Sequence, residues 1–148
     1  MLQVEKVYAY ITLAGQLLVF RHVDFPDAGI QVPGGTVERG ETPVEAVLRE
    51  AGEETGLQDL VVKTYLGGDE YLDRSTTPCK MLRRYFYHLT CPKDAPEIWQ
   101  RQEDHPSDGS PGPIRFEYYW LALDEADGEL DPYFNAMLDK LLVSLTNP

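Results

Sequence analysis

The segment spanning residues 35–57 constrains this chain more than any other. It reads GTVERGETPVEAVLREAGEETGL and places Glu50, Glu53 and Glu54 on one short predicted helix. Side chains three and four positions apart on a helix lie roughly 5–6 Å from each other. Three carboxylates at that spacing repel one another unless a cation lies among them. The segment therefore predicts a helix whose acidic face binds metal.

The ends of this helix are marked by local signals. Thr42 is a good N-cap, Pro43 suits the first helical position, and Glu45 completes a capping box. Gly56 stands where a left-handed C-terminal cap belongs. At about 100° per residue, one side of the helix is apolar and is expected to face the core. Its members are Val44, Val47, Leu48, Ala51 and Thr55.

The same segment resembles the Nudix box, G-x5-E-x7-R-E-U-x-E-E-x-G-U, in which U is a bulky aliphatic residue. The matching positions are Gly35, Glu41, Arg49, Glu50, Glu53, Glu54, Gly56 and Leu57. Ala51 occupies the first U position and is smaller than the usual residue there. The resemblance is to the MutT-like Nudix hydrolases, with no subfamily assigned. It implies an α/β (α+β) fold, namely an α/β/α sandwich around a mixed β-sheet, and a single domain over residues 1–148.

The resemblance also implies roles for the matching residues. Glu50 and Glu54 correspond to the principal metal ligands, and Glu53 to a third ligand or to the base that activates water. The carbonyl of Gly34 corresponds to a further ligand. Arg49 is expected to orient the glutamates through its guanidinium fork, which Lys would do less well.

Three other motif residues are expected to be structural rather than catalytic: Gly35, Glu41 and Gly56. Glu41 lies at the start of the helix, where the helix dipole favours a carboxylate, and it could pair with Arg49. We expect Mg²⁺ as the cofactor, with Mn²⁺ as an alternative, because Mg²⁺ needs only one or two carboxylates plus substrate phosphates. Such a metal polarises a phosphorus–oxygen bond and lowers the pKa of a bound water.

Many relatives carry a further acid on a distant loop. The candidates here are Glu97, Glu103, Asp104, Asp108 and Glu117, of which Glu103 is the best placed. Arg21, His22, Phe25 and Glu103 are the candidate substrate contacts, through phosphate binding, base stacking or acid–base chemistry.

Strand-like and helix-like patterns continue along the rest of the chain. Strands are predicted over residues 4–13, 16–21, 30–32, 60–65, 83–89 and 116–123. The Pro-rich stretch 92–113 is predicted to be a long loop with a helical turn at 96–100. Asp131 is expected to cap a final helix with Pro132 at its first position. This order predicts a mixed sheet with helices on its faces.

Composition narrows the class of partner. The formal net charge of −12 argues against binding to a nucleic-acid duplex, which needs clustered Lys and Arg. Cys79 and Cys91 form no disulfide framework, and no leader or membrane span is apparent, so we expect a cytoplasmic protein. The partner is expected to be a small nucleotide-type substrate. A homodimer is an open alternative to a monomer, because family members often pair.

The sequence predicts metal-dependent hydrolysis, by water attack on phosphorus, of a diphosphate linkage in a nucleoside diphosphate joined to another moiety. One alternative is a catalytically silent, Nudix-like module that binds a nucleotide. Another is isomerisation of an isoprenoid diphosphate, for which Cys79 and Cys91 offer no fitting context. Nucleotide sugars, ADP-ribose, dinucleoside polyphosphates and oxidised nucleoside triphosphates all remain open as substrates. Capped RNA is the least attractive, given the net charge.

Overall fold

The computed structural model describes residues 1–92, 94–104 and 112–146. These residues form one seven-stranded mixed sheet. Its strands are β1 (Leu2–Leu13), β2 (Gln16–His22), β3 (Gly34–Thr36), β4 (Val61–Asp73), β5 (Lys80–Thr90), β6 (Ile98–Glu103) and β7 (Ile114–Ala122). The helices are α1 (Pro43–Thr55), α2 (Leu123–Glu129) and α3 (Leu138–Thr146). The predicted mixed sheet with helices is confirmed.

The strands follow the order β4-β5-β1-β2-β7-β6, and β3 pairs with β1. The β1–β5 pair is parallel, and the other ladders are antiparallel. Ala14 and Gly15 both have positive φ, as a two-residue hairpin turn between β1 and β2 requires. The short strand β3 lies against the first half of β1, with Lys6 opposite Thr36 and Tyr8 opposite Gly34.

The sheet separates two apolar cores, because alternate residues of a strand face opposite sides. On one side, Val7, Ala9 and Ile11 of β1 join a cluster with the buried residues of α1. On the other side, Tyr8 and Tyr10 join a cluster with residues of α2 and α3. The expected three-layer arrangement of helix, sheet and helix is therefore present.

Helix α1 begins and ends where its sequence predicts. The Thr42 Oγ1 accepts a hydrogen bond from the Glu45 N–H, and the Glu45 carboxylate accepts one from the Thr42 N–H. Gly56 has a φ of 76° and closes the helix in the left-handed region. The predicted core-facing side is wrong in part, because Val44 and Leu48 are 39% and 40% exposed. The buried positions are Ala46, Val47, Ala51 and Thr55.

Two predictions upstream and downstream of α1 are wrong. Residues 30–32 make only isolated bridges, Phe20 to Gln31 and Ile30 to Leu130, and the strand in this region is β3, after Pro33. The expected helical turn at 96–100 is absent, and residues 98–100 instead belong to β6, which pairs antiparallel with β7. Residues 98–103 satisfy their backbone groups on β7, a long-range partner that proline content alone does not reveal.

The C-terminal part also differs from the prediction. Strand β7 ends at Ala122, and α2, which the sequence did not predict, begins at Leu123. The Asp131 carboxylate accepts the Tyr133 N–H, as a cap does, but it caps a single 3₁₀ turn over Pro132–Phe134. The last helix, α3, begins only at Leu138. Among the described residues, no helix is long and apolar enough to cross a membrane.

Candidate active site

A cavity of about 550 Å³ lies between α1, β3 and the ends of β6 and β7. Its walls contain five carboxylates, three cationic side chains and three aromatic rings. The lining residues are Lys6, Phe20, Gly34, Gly35, Thr36, Glu38, Arg49, Glu50, Glu53, Glu54, Arg101, Gln102, Glu103, Phe116 and Tyr118. The three glutamates predicted from the Nudix-like segment therefore share this cavity with Gly34, Gly35, Arg49 and Glu103.

Glu54 is the carboxylate set furthest into the cavity wall. The backbone N–H of Gly34 donates to Glu54 Oε2 at 2.8 Å. The pKa of Glu54 is raised to about 8, mainly by burial and also by the neighbouring Glu50 and Glu103, against the opposing Gly34 hydrogen bond. A half-buried carboxylate with two acidic neighbours is a site where a cation would relieve both desolvation and repulsion.

Glu50 lies directly over Gly35. A Cβ at Gly35 would overlap the Glu50 carboxyl group, reaching 2.6 Å from its Oε1, so this close approach requires glycine. Arg49 Nη1 donates to Glu50 Oε1 at 2.8 Å. Burial raises the pKa of Glu50, and the Arg49 guanidinium opposes that shift.

Arg49 uses its whole guanidinium fork to organise this region. Its Nε and Nη2 donate to the two oxygens of Glu41 at 2.7 and 2.9 Å, the bidentate pair expected from the sequence. The Arg49 hydrogen bonds hold the pKa of Glu41 at about 2. Nη1 also reaches Glu53 Oε2 at 3.4 Å, and Nη2 reaches the Thr36 carbonyl at 3.1 Å. Arg49 thus ties the helix to β3.

The donor set suits a hard divalent cation bound by few protein ligands. Among the described residues, no group of three or more His, Cys, Asp or Glu side chains is already arranged to hold a metal ion. The Glu53 side chain is 64% exposed, whereas Glu50 lies at the cavity wall with only 18% exposure. Mg²⁺ takes one or two carboxylates and completes its shell with water and substrate oxygens. Glu50 and Glu54, with their raised pKa values, fit that mode.

Strand β6 forms another wall of the cavity and fastens the end of α1. Trp99 Nε1 donates to the Thr55 carbonyl at 3.0 Å, while Arg101 Nε and Nη2 donate to the Glu54 and Glu53 carbonyls at 3.2 and 2.9 Å. These are carbonyls that the last turn of a helix leaves without internal partners. Glu103 follows two residues later on the same face of the strand and lines the cavity.

The sequence did not predict the contacts of Trp99 and Arg101. The available signal was the period-two order of Trp99, Arg101 and Glu103, which places all three on one strand face. That signal is interpretable only once 98–103 is known to be a strand. The tight fit also accounts for Gly56, where a Cβ would lie 2.7 Å from Arg101 Nη1.

We expect Arg101→Ala to lower the stability of the protein. The change removes two hydrogen bonds and leaves the Glu53 and Glu54 carbonyls with water alone, at about 0.5–1.5 kcal/mol per bond. The melting temperature should fall by about 2–4 °C for each kcal/mol lost. Thermal unfolding followed by circular dichroism measures this. Arg101→Lys keeps a cation at the C-terminus of α1 but loses the guanidinium fork, so its melting temperature should lie between those of the wild type and Arg101→Ala. Equal melting temperatures for all three proteins would contradict the role of Arg101 in capping α1.

The cavity wall opposite α1 is aromatic. Phe20 packs edge-on against Phe116 at 5.3 Å between ring centroids and lies 5.0 Å from Tyr118. Tyr118 in turn stacks on Trp99 at 5.4 Å. Phe20 and Tyr118 are buried and Phe116 is half-buried, so Phe116 presents the most accessible apolar ring of this wall. The cavity therefore combines an anionic end with a flat apolar side.

The structure separates the predicted substrate contacts. Glu103 lies in the cavity wall, but Arg21, His22 and Phe25 are not among the lining residues. Arg21 pairs with Glu117 at 3.0 Å, and the His22 ring packs against Phe116 at a centroid distance of 4.8 Å. Phe25 is 63% exposed. Of the other candidate acids, Glu97 and Asp104 are exposed outside the cavity lining, and Asp108 lies outside the described residues.

Solved structures share this arrangement of elements across almost the whole chain. The E. coli ORF135 protein superposes with a TM-score of 0.66 and 22% identity, covering 100% of this chain and 95% of that one. A NUDIX hydrolase from Nitrosomonas europaea superposes with a TM-score of 0.68 and 18% identity, covering 96% and 90%. At these identities the similarity shows the fold.

Sequence comparisons agree with the fold. An RNA pyrophosphohydrolase from Gluconobacter oxydans (strain 621H) is 47% identical over 45 residues, which cover 30% of this chain and 26% of that protein. The chain thus matches about a quarter of the length of that relative. The NUDIX domain family model matches residues 4–142. Since that match spans most of the chain, this protein belongs to the Nudix family.

Proposed function

We propose that this protein is a metal-dependent pyrophosphohydrolase that cleaves the diphosphate linkage of a nucleoside diphosphate derivative. One observation carries the proposal: Glu50 and Glu54 line one cavity side by side, and burial raises the pKa of both. Carboxylates serving only solubility would face bulk water. Their burial next to each other is understandable if a divalent cation completes the site.

Glu50 and Glu54 would hold the metal, Mg²⁺ by preference and Mn²⁺ as the alternative. When bound, the metal supplies charge neutralisation at phosphorus and a more acidic water. The chain itself contributes the fixed geometry: Gly34 N–H holds Glu54, and Arg49 holds Glu50. Gly34 is also predicted to offer its carbonyl as a ligand.

Two carboxylates are candidates for the remaining acid–base work. Glu53 is more exposed and is held by Arg49 only at 3.4 Å, so it could either join the metal or take a proton from water. Glu103 lines the same cavity from β6, across from α1. In either case water attacks phosphorus, its proton passes to a carboxylate, and the phosphorus–oxygen bridge breaks to release two phosphate-bearing products.

The cavity favours a small substrate over a polymer. Its aromatic wall could support a nucleobase, with Phe116 as the accessible ring, while the carboxylate end takes the metal and diphosphate. The net charge of −12 gives no electrostatic surface for a long polyanion. We therefore place small nucleoside diphosphate derivatives ahead of RNA, although the Gluconobacter relative is named for RNA.

A substrate panel tests the proposal. The panel contains a nucleotide sugar, ADP-ribose, a dinucleoside polyphosphate, a nucleoside triphosphate and a short RNA with a 5′ triphosphate. Each is assayed for phosphate-bearing products with Mg²⁺, with Mn²⁺ and with EDTA. We expect turnover of at least one small substrate with metal and none with EDTA. Tight nucleotide binding without any product would instead identify a silent binding module.

The remaining features of the protein stay predictions from the sequence. Residues 1–148 are proposed to form a single domain, and a cytoplasmic location is proposed from the sequence alone. A homodimer is proposed only because family members often form dimers, and sedimentation measurements would determine the oligomeric state.

A further inference from the structure

We propose that Lys6 is the phosphate-binding cation of this cavity, contacting a non-bridging oxygen of the substrate diphosphate. This inference rests on the proposed function, because it assigns a residue to the substrate of the same site. Lys6 lies on β1, outside the Nudix-like segment, and nothing in that segment's spacing points to it.

The two guanidinium groups of the cavity are already engaged. All five N–H donors of the Arg49 guanidinium face acceptors in Glu41, Glu50, Glu53 and Thr36. Arg101 directs its Nε and Nη2 at the C-terminal carbonyls of α1. Neither guanidinium can bind a phosphate in full without giving up contacts that shape the site.

Lys6, in contrast, keeps spare donors inside the cavity. An ammonium has three N–H donors. Among the contacts between described residues, Lys6 Nζ makes one hydrogen bond, to Thr36 Oγ1 at 2.8 Å. The register of β1 against β3 sets this position, because Lys6 lies directly opposite Thr36 and two residues before Tyr8, the partner of Gly34. The ammonium is thereby fixed beside the Gly34–Gly35 pair of β3.

The charge of Lys6 is placed near the carboxylates without being paired to them. Lys6 is half-buried, and Glu50 and Glu54 are both close enough to act on its charge, although neither forms an ion pair with it within 4 Å. This ammonium is not ion-paired with Glu50 or Glu54, the proposed metal ligands. It leaves room for a phosphate to lie between the metal and the ammonium, each of which would contact a different oxygen of the same diphosphate.

The competing interpretation is that Lys6 only fastens β3 to β1 through Thr36. Thr36→Val separates the two interpretations, because it removes the hydrogen-bond partner and keeps the ammonium. Lys6→Arg keeps a cation, and Lys6→Met removes it while keeping the length of the side chain. Lys63→Met serves as the matched control, because Lys63 is exposed on β4 and is absent from the cavity lining.

The experiment measures binding of imidodiphosphate, a non-hydrolysable diphosphate, to Mn²⁺-loaded protein by isothermal titration calorimetry. We expect Lys6→Met to raise the dissociation constant about tenfold or more, as loss of a charged hydrogen bond does. Lys6→Arg should recover part of the affinity. Thr36→Val should have a clearly smaller effect than Lys6→Met, and Lys63→Met should bind like the wild type.

The second measurement is of metal binding, which Lys6→Met is expected not to weaken. Binding of Mn²⁺ alone, measured from free Mn²⁺ by electron paramagnetic resonance, should be unchanged or tighter in Lys6→Met, because a positive charge near Glu50 and Glu54 is gone. Weaker Mn²⁺ binding together with weaker imidodiphosphate binding would show a structural role and overturn the inference. So would unchanged imidodiphosphate binding, or equal losses in Lys6→Met and Thr36→Val.

Turnover of the wild type is measured in parallel. If the wild type hydrolyses nothing but binds imidodiphosphate in a Lys6-dependent way, the proposed function fails and the phosphate site stands. If the wild type is active and Lys6→Met binds imidodiphosphate normally, the proposed function stands and the role of Lys6 in phosphate binding fails.

Discussion

Glu54→Gln is expected to abolish activity while making the metal-free protein more stable at alkaline pH. The lost carboxylate removes a proposed metal ligand, and several kcal/mol of transition-state stabilisation corresponds to a loss on the order of a thousandfold in turnover. The gain in stability follows from the unfavourable ionisation of Glu54 in its half-buried position. A residue that only supported the fold would lose stability and activity together.

The direction of this change in stability follows from the pKa of Glu54. Burial raises it from 4.5 to about 8 in the folded protein, so the folded state holds its proton more tightly than the unfolded chain does. The stability contributed by this group is complete below pH 4.5 and is lost as the pH rises from 4.5 to about 8. Glutamine resembles the protonated acid at every pH and does not suffer this loss.

Thermal unfolding in EDTA at pH 5 and at pH 8.5 measures the effect. At pH 5 the two proteins should melt at similar temperatures. At pH 8.5 the variant should be more stable by about 1–2 kcal/mol, after allowance for partial solvent screening. Its melting temperature should rise by about 2–4 °C for each kcal/mol gained. The ion pair of Arg49 with Glu41 does not affect the comparison between pH 5 and pH 8.5, because the Glu41 pKa of about 2 changes stability only at more acidic pH.

Added Mg²⁺ should reverse the order of the two proteins at pH 8.5. Metal binding requires ionised carboxylates, so it stabilises the wild type more at pH 8.5 than at pH 6. The variant should gain little at either pH. Glu125→Gln is the matched control, since Glu125 is exposed on α2 and is absent from the cavity lining. A Glu54→Gln protein that is less stable than the wild type at pH 8.5 in EDTA, or one that keeps its activity with Mg²⁺, would contradict the assignment of Glu54.

The parts of this fold that the sequence predicted are those determined locally. The capping box at Thr42 and the left-handed Gly56 depend on neighbours within a few residues, and both ends of α1 were placed correctly. The pairing of Arg49 with Glu41 was likewise accessible, because both residues belong to one motif of fixed spacing. Local chemistry was sufficient wherever donor and acceptor lie within about two helical turns.

The parts that the sequence missed depend on contacts between distant segments. Strand β6 follows a Pro-rich stretch, and only its pairing with β7 makes it a strand. Arg101 and Trp99 reach the end of α1 from more than 40 positions away in the chain. Lys6 enters the cavity because the register of β1 places it opposite Thr36. Spacing within a motif contains no information about such registers.

The exposed side of α1 illustrates the same limit. Periodicity placed Val44 and Leu48 on the core side, yet they are 39% and 40% exposed. The helix instead lays the small residues Ala46 and Ala51 against the sheet, both fully buried. Small side chains allow close approach of helix and strands, which brings Glu50 over Gly35. A periodicity argument weights large apolar residues, so the predicted face included Ala51 but left out Ala46, which is fully buried.

Alanine substitutions at Gly34 and at Gly35 are expected to have different effects, Gly34→Ala mainly on stability and Gly35→Ala mainly on activity. A Cβ at Gly34 would overlap the Val7 carbonyl oxygen and the Tyr8 ring, which belong to the backbone and core of β1. Neither neighbour can move without disturbing the β1–β3 ladder. Overpacking of this kind costs about 1–3 kcal/mol, so Gly34→Ala should lower the melting temperature by about 2–4 °C for each kcal/mol lost.

Gly35→Ala should act mainly on activity. The atoms nearest its Cβ would all belong to the Glu50 carboxyl group, the end of a flexible side chain that can swing aside at little cost to folding. That movement breaks the 2.8 Å hydrogen bond from Arg49 and takes a proposed metal ligand out of position. A displacement of about 1 Å can cost on the order of a hundredfold in rate. We therefore expect a large loss of kcat with a small change in melting temperature.

Gly128→Ala provides the control for the glycine substitutions. Gly128 lies in α2 without a positive φ, and a methyl group added there would have no neighbouring atom within 4 Å. Alanine there should stabilise the helix by about 0.5–1 kcal/mol and leave turnover unchanged. Steady-state kinetics and thermal melts on the three variants form one data set. If Gly34→Ala and Gly35→Ala lose stability and turnover in the same proportion, Gly35 has no separate role in placing Glu50, because the two substitutions would then differ only in how much they disturb the β1–β3 ladder.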